Sequence, residues 1–185
     1  MSIDDAHGFG VLGEEGLGTV ELHNLSQQQV PVLMGTFGKA VGTGGAFVAG
    51  SREFIAYLSN FARHYIYSTA LSPFHVEQTL HNLKCCQEQK WRREKLLSNI
   101  AHFKSEMMQH KSSLMPSDTA IQPVLIGDPA KAIKIANVLR EKGFWVTAIR
   151  HPTVPKHTDR IRITLTSLHE FEDISSLTQS LTELI

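Results

Sequence analysis

Lys39 sits in the run Thr36-Phe37-Gly38-Lys39-Ala40-Val41-Gly42-Thr43-Gly44-Gly45, between small residues and directly after an apolar stretch. A lysine so placed can be held near a carbonyl, and partial desolvation leaves enough free amine to form a Schiff base. The same stretch also suits a solvated loop lysine. Asp4-Asp5-Ala6-His7 brings a carboxylate and an imidazole close together in sequence. An Asp at a strand end can bond a heterocyclic nitrogen and keep it protonated while the His contacts another polar group on the same ring. A loop-capping Asp with a satisfied His reads equally well. Metal ligation finds no second His or carboxylate pair at ligand spacing, so no metal is expected. In Arg160-Ile161-Arg162-Ile163-Thr164-Leu165-Thr166 the alternation puts Arg160, Arg162, Thr164 and Thr166 on one strand face. An arginine held rigidly there offers a fork for a carboxylate; the alternative is an edge strand with solvated charges.

Two nucleotide motifs fail on context. Gly8-Phe9-Gly10-Val11-Leu12-Gly13 matches G-x-G-x-x-G, but Glu14, Glu15, Gly16, Leu17 and Gly18 follow it. Such a stretch is too glycine-rich for the required helix, and its acids would repel a pyrophosphate. A flexible glycine loop describes it better. Gly38-Lys39 resembles the end of a phosphate loop, but Ala40 stands where Ser or Thr must bind magnesium.

Lys plus Arg and Asp plus Glu both number 18, so the balance is zero. Neither nucleic acid nor an anionic membrane is an expected partner, because both require a basic excess. Hydrophobic residues at 42% and charged ones at 19% can build a core. No apolar run approaches the roughly 20 residues of a membrane span, and no signal-like segment opens the chain, so the expected location is cytoplasmic. Cys85 and Cys86 are adjacent and cannot frame a disulfide or zinc site.

The elements that must position these residues follow from pattern. Gly8 to Gly18 is a loop, Val30 to Met34 and Gly44 to Ala49 are short strands, and Ser51 caps a helix to about Phe61. Tyr65 to Tyr67 suits a further short strand. Ser72-Pro73 opens a helical connector that runs to about Lys111 with room for one break. Ala120 to Ile126 reads as a strand and Pro129 to Lys142 as a helix ended by Gly143. Phe144 to Ile149 and Arg160 to Thr166 are strands, and Glu170 to Ile185 is a final amphipathic helix. The expected division is 1–70, a helical connector 71–111, and a small α/β domain 112–185. Asp4-Asp5 lies too near the start for a full buried strand to precede it, which suggests the C-terminal part of a longer protein.

Taken together, Asp4-Asp5-Ala6-His7-Gly8, Thr36-Phe37-Gly38-Lys39-Ala40, Tyr67-Ser68-Thr69 and Arg150-His151-Pro152-Thr153-Val154-Pro155, followed by Arg160-Ile161-Arg162-Ile163-Thr164, resemble the α-oxoamine synthases. These are pyridoxal 5'-phosphate enzymes of the aspartate aminotransferase fold, an α/β class. The resemblance covers essentially the whole chain and corresponds to the second half of a family member: the end of the large domain plus the small one. It is strongest to the members that condense L-alanine with a pimeloyl thioester, on CoA or a carrier protein, in biotin biosynthesis. Glycine-using siblings of the glycine C-acetyltransferase or 5-aminolevulinate synthase type are the nearer alternative. A non-catalytic fragment or partner subunit is the other.

By this resemblance Lys39 is the Schiff-base lysine that also moves protons at the substrate Cα. Asp4 pairs with the pyridinium nitrogen, His7 lies near the phenolic oxygen, and Thr36 contacts the phosphate. Thr69 reaches the phosphate of a neighbouring subunit, which implies a homodimer. Arg162 binds the substrate carboxylate, while Thr153 and Arg150 belong to the acyl side. His151 replaces the second proline of the usual Arg-Pro-Pro-Thr run, and Lys156-His157 replaces a residue-glycine pair, so the acyl loop departs from the family pattern. The family's first half, which supplies a ring-stacking aromatic and further phosphate contacts, is absent from this sequence. The expectation is an isolated chain without synthase activity, with a separate N-terminal half as a conceivable partner.

Overall fold

The computed structural model describes residues 1–185. It forms two units, Met1–Arg93 and Glu94–Ile185.

The first unit is built on a three-stranded sheet. Strand β1 (Ser2–Asp4) leads into a glycine-rich loop and the short helix α1 (Thr19–Leu22); β2 (Val32–Thr36) and β3 (Ala46–Gly50) complete the sheet in the order β1-β2-β3. β1 runs parallel to β2, with Asp4 opposite Met34, and β2 runs antiparallel to β3, with Thr36 opposite Ala46. Gly35 faces Phe47, whose ring occupies the space a side chain at 35 would need. Phe9 then meets Phe47 edge-on at 4.9 Å.

Helix α2 (Arg52–Phe61) begins as its sequence implies, with Ser51 Oγ accepting the Phe54 N–H at 3.2 Å. The Tyr65–Tyr67 stretch is not a strand. Arg63–Ile66 forms the helical turn α3, in which the Tyr65 and Ile66 N–H groups both donate to Ala62 O. Aromatic residues favour strands only where a neighbour pairs with them, and here none does. Ser72 caps α4 (Pro73–Glu88), with Pro73 in the first turn. The helical segment breaks at Gln89, and α5 (Lys90–Glu106) carries the chain across the boundary of the two units, which falls within it.

In the second unit a 3-10 turn at Met107–His110 is followed by β4 (Ile121–Leu125), α6 (Pro129–Glu141), β5 (Thr147–Ile149), β6 (Arg160–Thr164) and α7 (Phe171–Thr182). Asp128 caps α6 through the Lys131 N–H at 2.6 Å. The sheet order is β4-β6-β5, both pairings antiparallel, so β6 is the central strand. Ile161 and Ile163 face inward with Val124, Ile135, Leu139 and Leu181, all nearly inaccessible. The strand expected over Phe144–Ile149 pairs only from Thr147, because β5 meets just three residues of β6.

Candidate active site

The end of β1 gathers the chemistry of the first unit. Paired residues of a sheet share a face and alternate residues return to it, so Asp4, Met34 and Thr36 lie on one side. Asp4 Oδ1 accepts the Ala6 N–H at 3.0 Å and turns the chain out of the strand. Three residues past Asp4, His7 Nε2 lies 3.0 Å from Lys39 Nζ. One nitrogen of the pair donates to the other across this gap, the direction following the tautomer of the imidazole. Both side chains are exposed.

Lys39 stands in the β2–β3 loop, which is fastened to itself. Phe37 N–H donates to Gly45 O at 3.0 Å, Thr43 N–H to Phe37 O at 2.9 Å, and Gly42 N–H to Lys39 O at 3.0 Å. Thr36 helps: its hydroxyl donates to Gly45 O at 3.0 Å and accepts the Gly38 N–H at 3.2 Å. Thr69 lies in the exposed segment between α3 and α4, without regular structure.

The glycine loop that carries His7 is ordered, contrary to the flexible loop expected from its composition. Asp5, 4% exposed, accepts the Thr19 N–H at 2.8 Å and the Thr19 hydroxyl at 2.5 Å. Its carbonyl takes the N–H groups of Gly8 and Phe9. Gly18 adopts φ 87°, and a side chain there or at Gly8 would run into the Asp5 carboxylate. Farther along, Glu21 accepts the N–H groups of Glu15 and Leu17, each at 2.8 Å. These bonds, the Glu15 N–H foremost, hold the Glu21 carboxyl below its ordinary range. Glu14 is held low as well, mainly by its bond to the Lys90 ammonium. The buried Arg93 guanidinium donates to Glu14 O from Nε at 3.2 Å and from Nη2 at 2.7 Å, and to Cys86 O from Nη1 at 2.6 Å. Nothing in the sequence pattern marks Asp5, Glu21 and Arg93 as clamps on this loop.

In the second unit, Arg162 is on the central strand, half-buried, opposite Pro123 and Thr147. The edge-strand reading of its run is therefore excluded: neighbours on both sides fix its backbone. Arg150 and Thr153 are exposed at the end of β5 and in the loop beyond it. That loop is anchored by the buried Asp159, whose Oδ1 accepts the His151 N–H at 3.1 Å. A cleft of about 360 Å³ in this unit, lined by Trp145, Val146, His169 and Leu177 among others, is not lined by Arg150, Thr153 or Arg162.

In the first unit, then, the strand ending in Asp4 leads within three residues to a histidine that meets Lys39. The chain belongs to the aminotransferase class I and II family, whose model matches residues 2–181. It is 48% identical over 183 residues to the 8-amino-7-oxononanoate synthase of Hydrogenovibrio crunogenus, covering 99% of this chain and 46% of that protein. To the enzyme of the same name from Pseudomonas savastanoi pv. phaseolicola it is 49% identical over 181 residues, with 98% and 46% covered. The chain thus spans about half the length of the curated relatives it matches.

Among solved structures, the 8-amino-7-oxononanoate synthase of Francisella tularensis matches with a TM-score of 0.88 at 30% identity, covering 97% of this chain and 53% of that one. A serine palmitoyltransferase from S. paucimobilis with a bound PLP–myriocin aldimine matches with a TM-score of 0.88 at 25% identity, covering 98% and 46%. No helix is long and apolar enough to cross a membrane.

Proposed function

We propose that this chain supplies the Schiff-base lysine and the amino-acid carboxylate site of a pyridoxal-phosphate acyltransferase of the 8-amino-7-oxononanoate synthase type. The observation that carries the reading is the 3.0 Å approach of Lys39 Nζ to His7 Nε2 beside the strand that ends in Asp4. The donor set fits the cofactor group by group: an amine for an aldehyde, a carboxylate for a ring nitrogen, an imidazole for a phenolic oxygen and a hydroxyl for a phosphate.

When bound, the cofactor supplies an electron sink for the carbanion formed at the amino-acid Cα. Lys39 holds it and moves the Cα proton; Asp4 keeps the ring nitrogen protonated; His7 orients the amine. Thr36 serves the phosphate, and Thr69 serves that of a second copy in a homodimer. Arg162 takes the carboxylate of L-alanine. Arg150 and Thr153 serve a pimeloyl chain carried as a thioester on CoA or a carrier protein. The overall reaction joins alanine to the acyl group and releases carbon dioxide and the thiol. The remaining half of the site comes from the other half of the family fold, whether joined to this chain or supplied separately.

Borohydride reduction after incubation with pyridoxal phosphate, followed by peptide mapping, tests the core of the reading. The label is expected on Lys39. Label on other lysines with none on Lys39 rejects it. Rescue of a biotin auxotroph by the chain completed with a family N-terminal half tests the substrate assignment, and preference for glycine with a short acyl-CoA would reassign it to a sibling.

A further inference from the structure

The turn after Lys39 is held from outside as well as from within. Helix α4 places His75, Thr79 and Asn82 on one face, since residues four and seven apart stack along a helix. All three reach the four-residue stretch Val41 to Gly44. Asn82 Nδ2 donates to Val41 O at 2.7 Å. The Thr79 hydroxyl lies 3.0 Å from Thr43 Oγ1, and also donates to His75 O, 2.9 Å away. His75 Nε2 is 3.1 Å from Gly44 N and 3.0 Å from Gly44 O. That nitrogen accepts from the amide when unprotonated and donates to the carbonyl when it carries the proton.

These contacts are sheltered: Val41 is 3% exposed and Thr79 8%. A glycine-rich turn has little side-chain packing of its own, and each glycine it contains widens the range of backbone conformations open to it. Three directional bonds from a sixteen-residue helix remove that freedom at Val41, Thr43 and Gly44, immediately past the lysine.

We infer that His75, Thr79 and Asn82 form a positioning row that sets Lys39 against His7. The row touches neither amine nor imidazole and acts through the turn. The inference rests on the proposed function only for the meaning of Lys39. Its test needs no cofactor, so failure of pyridoxal phosphate to label Lys39 would reject that function and leave the row standing.

The test reads the His7 ring by NMR on the full 185-residue chain. Lys39→Ala first marks where the ring resonances fall when the amine is gone. Asn82→Ala, His75→Ala and Thr79→Val should each move them toward that position, while the β1–β3 amide signals stay in place. Thr79→Ser, which keeps the hydroxyl, should leave them near wild type. If the ring does not move in any of the three disrupting variants, or if Thr79→Ser moves it as far as Thr79→Val, the row is overturned as a positioning device. Should the disrupting variants unfold, hydrogen exchange on the unsubstituted chain decides. The Gly44 amide should exchange as slowly as the central amides of α4, and exchange as fast as the exposed 67–71 segment overturns the inference.

Discussion

In the second unit Phe103, Met107, Val124, Leu139, Ile161 and Leu181 are each completely buried, whereas in the first unit Val30 and Val41 alone represent the apolar core. Large apolar side chains of the first unit lie outside instead: Tyr57, Phe61, Tyr65, Tyr67 and Phe74 are all more than half exposed. What the first unit has in place of a core is a set of side-chain bonds to backbone, from Asp5 to Thr19, from Glu21 to Glu15 and Leu17, from Arg93 to Glu14 and Cys86, and from α4 to the Lys39 turn. Burial is non-directional and supplies stability, while a hydrogen bond nets only about 0.5–1.5 kcal/mol but fixes an angle and a distance. Within this chain, the segment around the lysine is held more by directed bonds to backbone than by burial of its own apolar side chains.

The sharpest way to break this comparison is to remove core from the second unit. Phe103→Ala deletes a fully buried ring and should cost about 3–5 kcal/mol. Tyr57→Ala, on the exposed face of α2, should cost far less in the isolated chain. Denaturant melts followed by hydrogen exchange check both, and the β1–β3 amides should exchange before those of β4–β6 in the unsubstituted chain. Equal protection of the two sheets would contradict the contrast.

Next in size is Asp5→Ala. It leaves the part-buried Thr19 amide and hydroxyl without their acceptor, a loss of about 1 kcal/mol that water entering the site would reduce. The loss should appear locally, as faster exchange at Gly8, Phe9 and Thr19, with β4–β6 unaffected. Spread of the effect to the β4–β6 amides would mean that Asp5 does more than clamp the glycine loop.

Glu21 gives a smaller effect that depends on pH. Its folded pKa is depressed, so its contribution to the loop is complete above the ordinary carboxylate range and is lost as pH falls through the folded value. Protection of the Glu15 and Leu17 amides, corrected for intrinsic exchange, should decline in that acid window. In Glu21→Gln the decline should vanish and protection should be low throughout. The side chain is well hydrated, so the global melting temperature should barely respond.

Local signals were legible in the sequence and long-range ones were not. Ser51, Ser72-Pro73 and Asp128-Pro129 announce their helices because a cap acts over three residues. The alternation over Arg160–Thr164 gave the strand and its two faces, and Lys39 stood out by its small neighbours. The clamps on the glycine loop were invisible because Asp5 and Thr19 are fourteen residues apart and no periodic pattern joins them. Composition therefore suggested flexibility where the structure has order. Tyr65–Tyr67 misled for a related reason: β propensity needs a pairing neighbour, and propensity alone does not say whether one exists. The row on α4 follows helical spacing, but nothing local told that its target was the turn after Lys39.

Arg162 is where the smallest stability effect should accompany a large functional one. Its guanidinium is half-buried on the middle strand, and no carboxylate of the chain forms an ion pair with it. A charge placed there without a counter-charge contributes no salt bridge to folding, and its desolvation opposes the fold. Arg162→Met keeps an unbranched aliphatic stem on the strand and removes the unpaired charge. Its stability should stay within about 0.5 kcal/mol of the parent or rise slightly. Arg162→Lys should be nearly neutral too, yet in the completed enzyme it should raise the KM for the amino acid, because an ammonium cannot form the two parallel bonds of a guanidinium. Thermal melts of the chain and kinetics of the completed protein measure the two sides separately. A loss above about 1.5 kcal/mol in Arg162→Met would show that the arginine serves the fold, and its candidacy for the carboxylate would then lose its physical support.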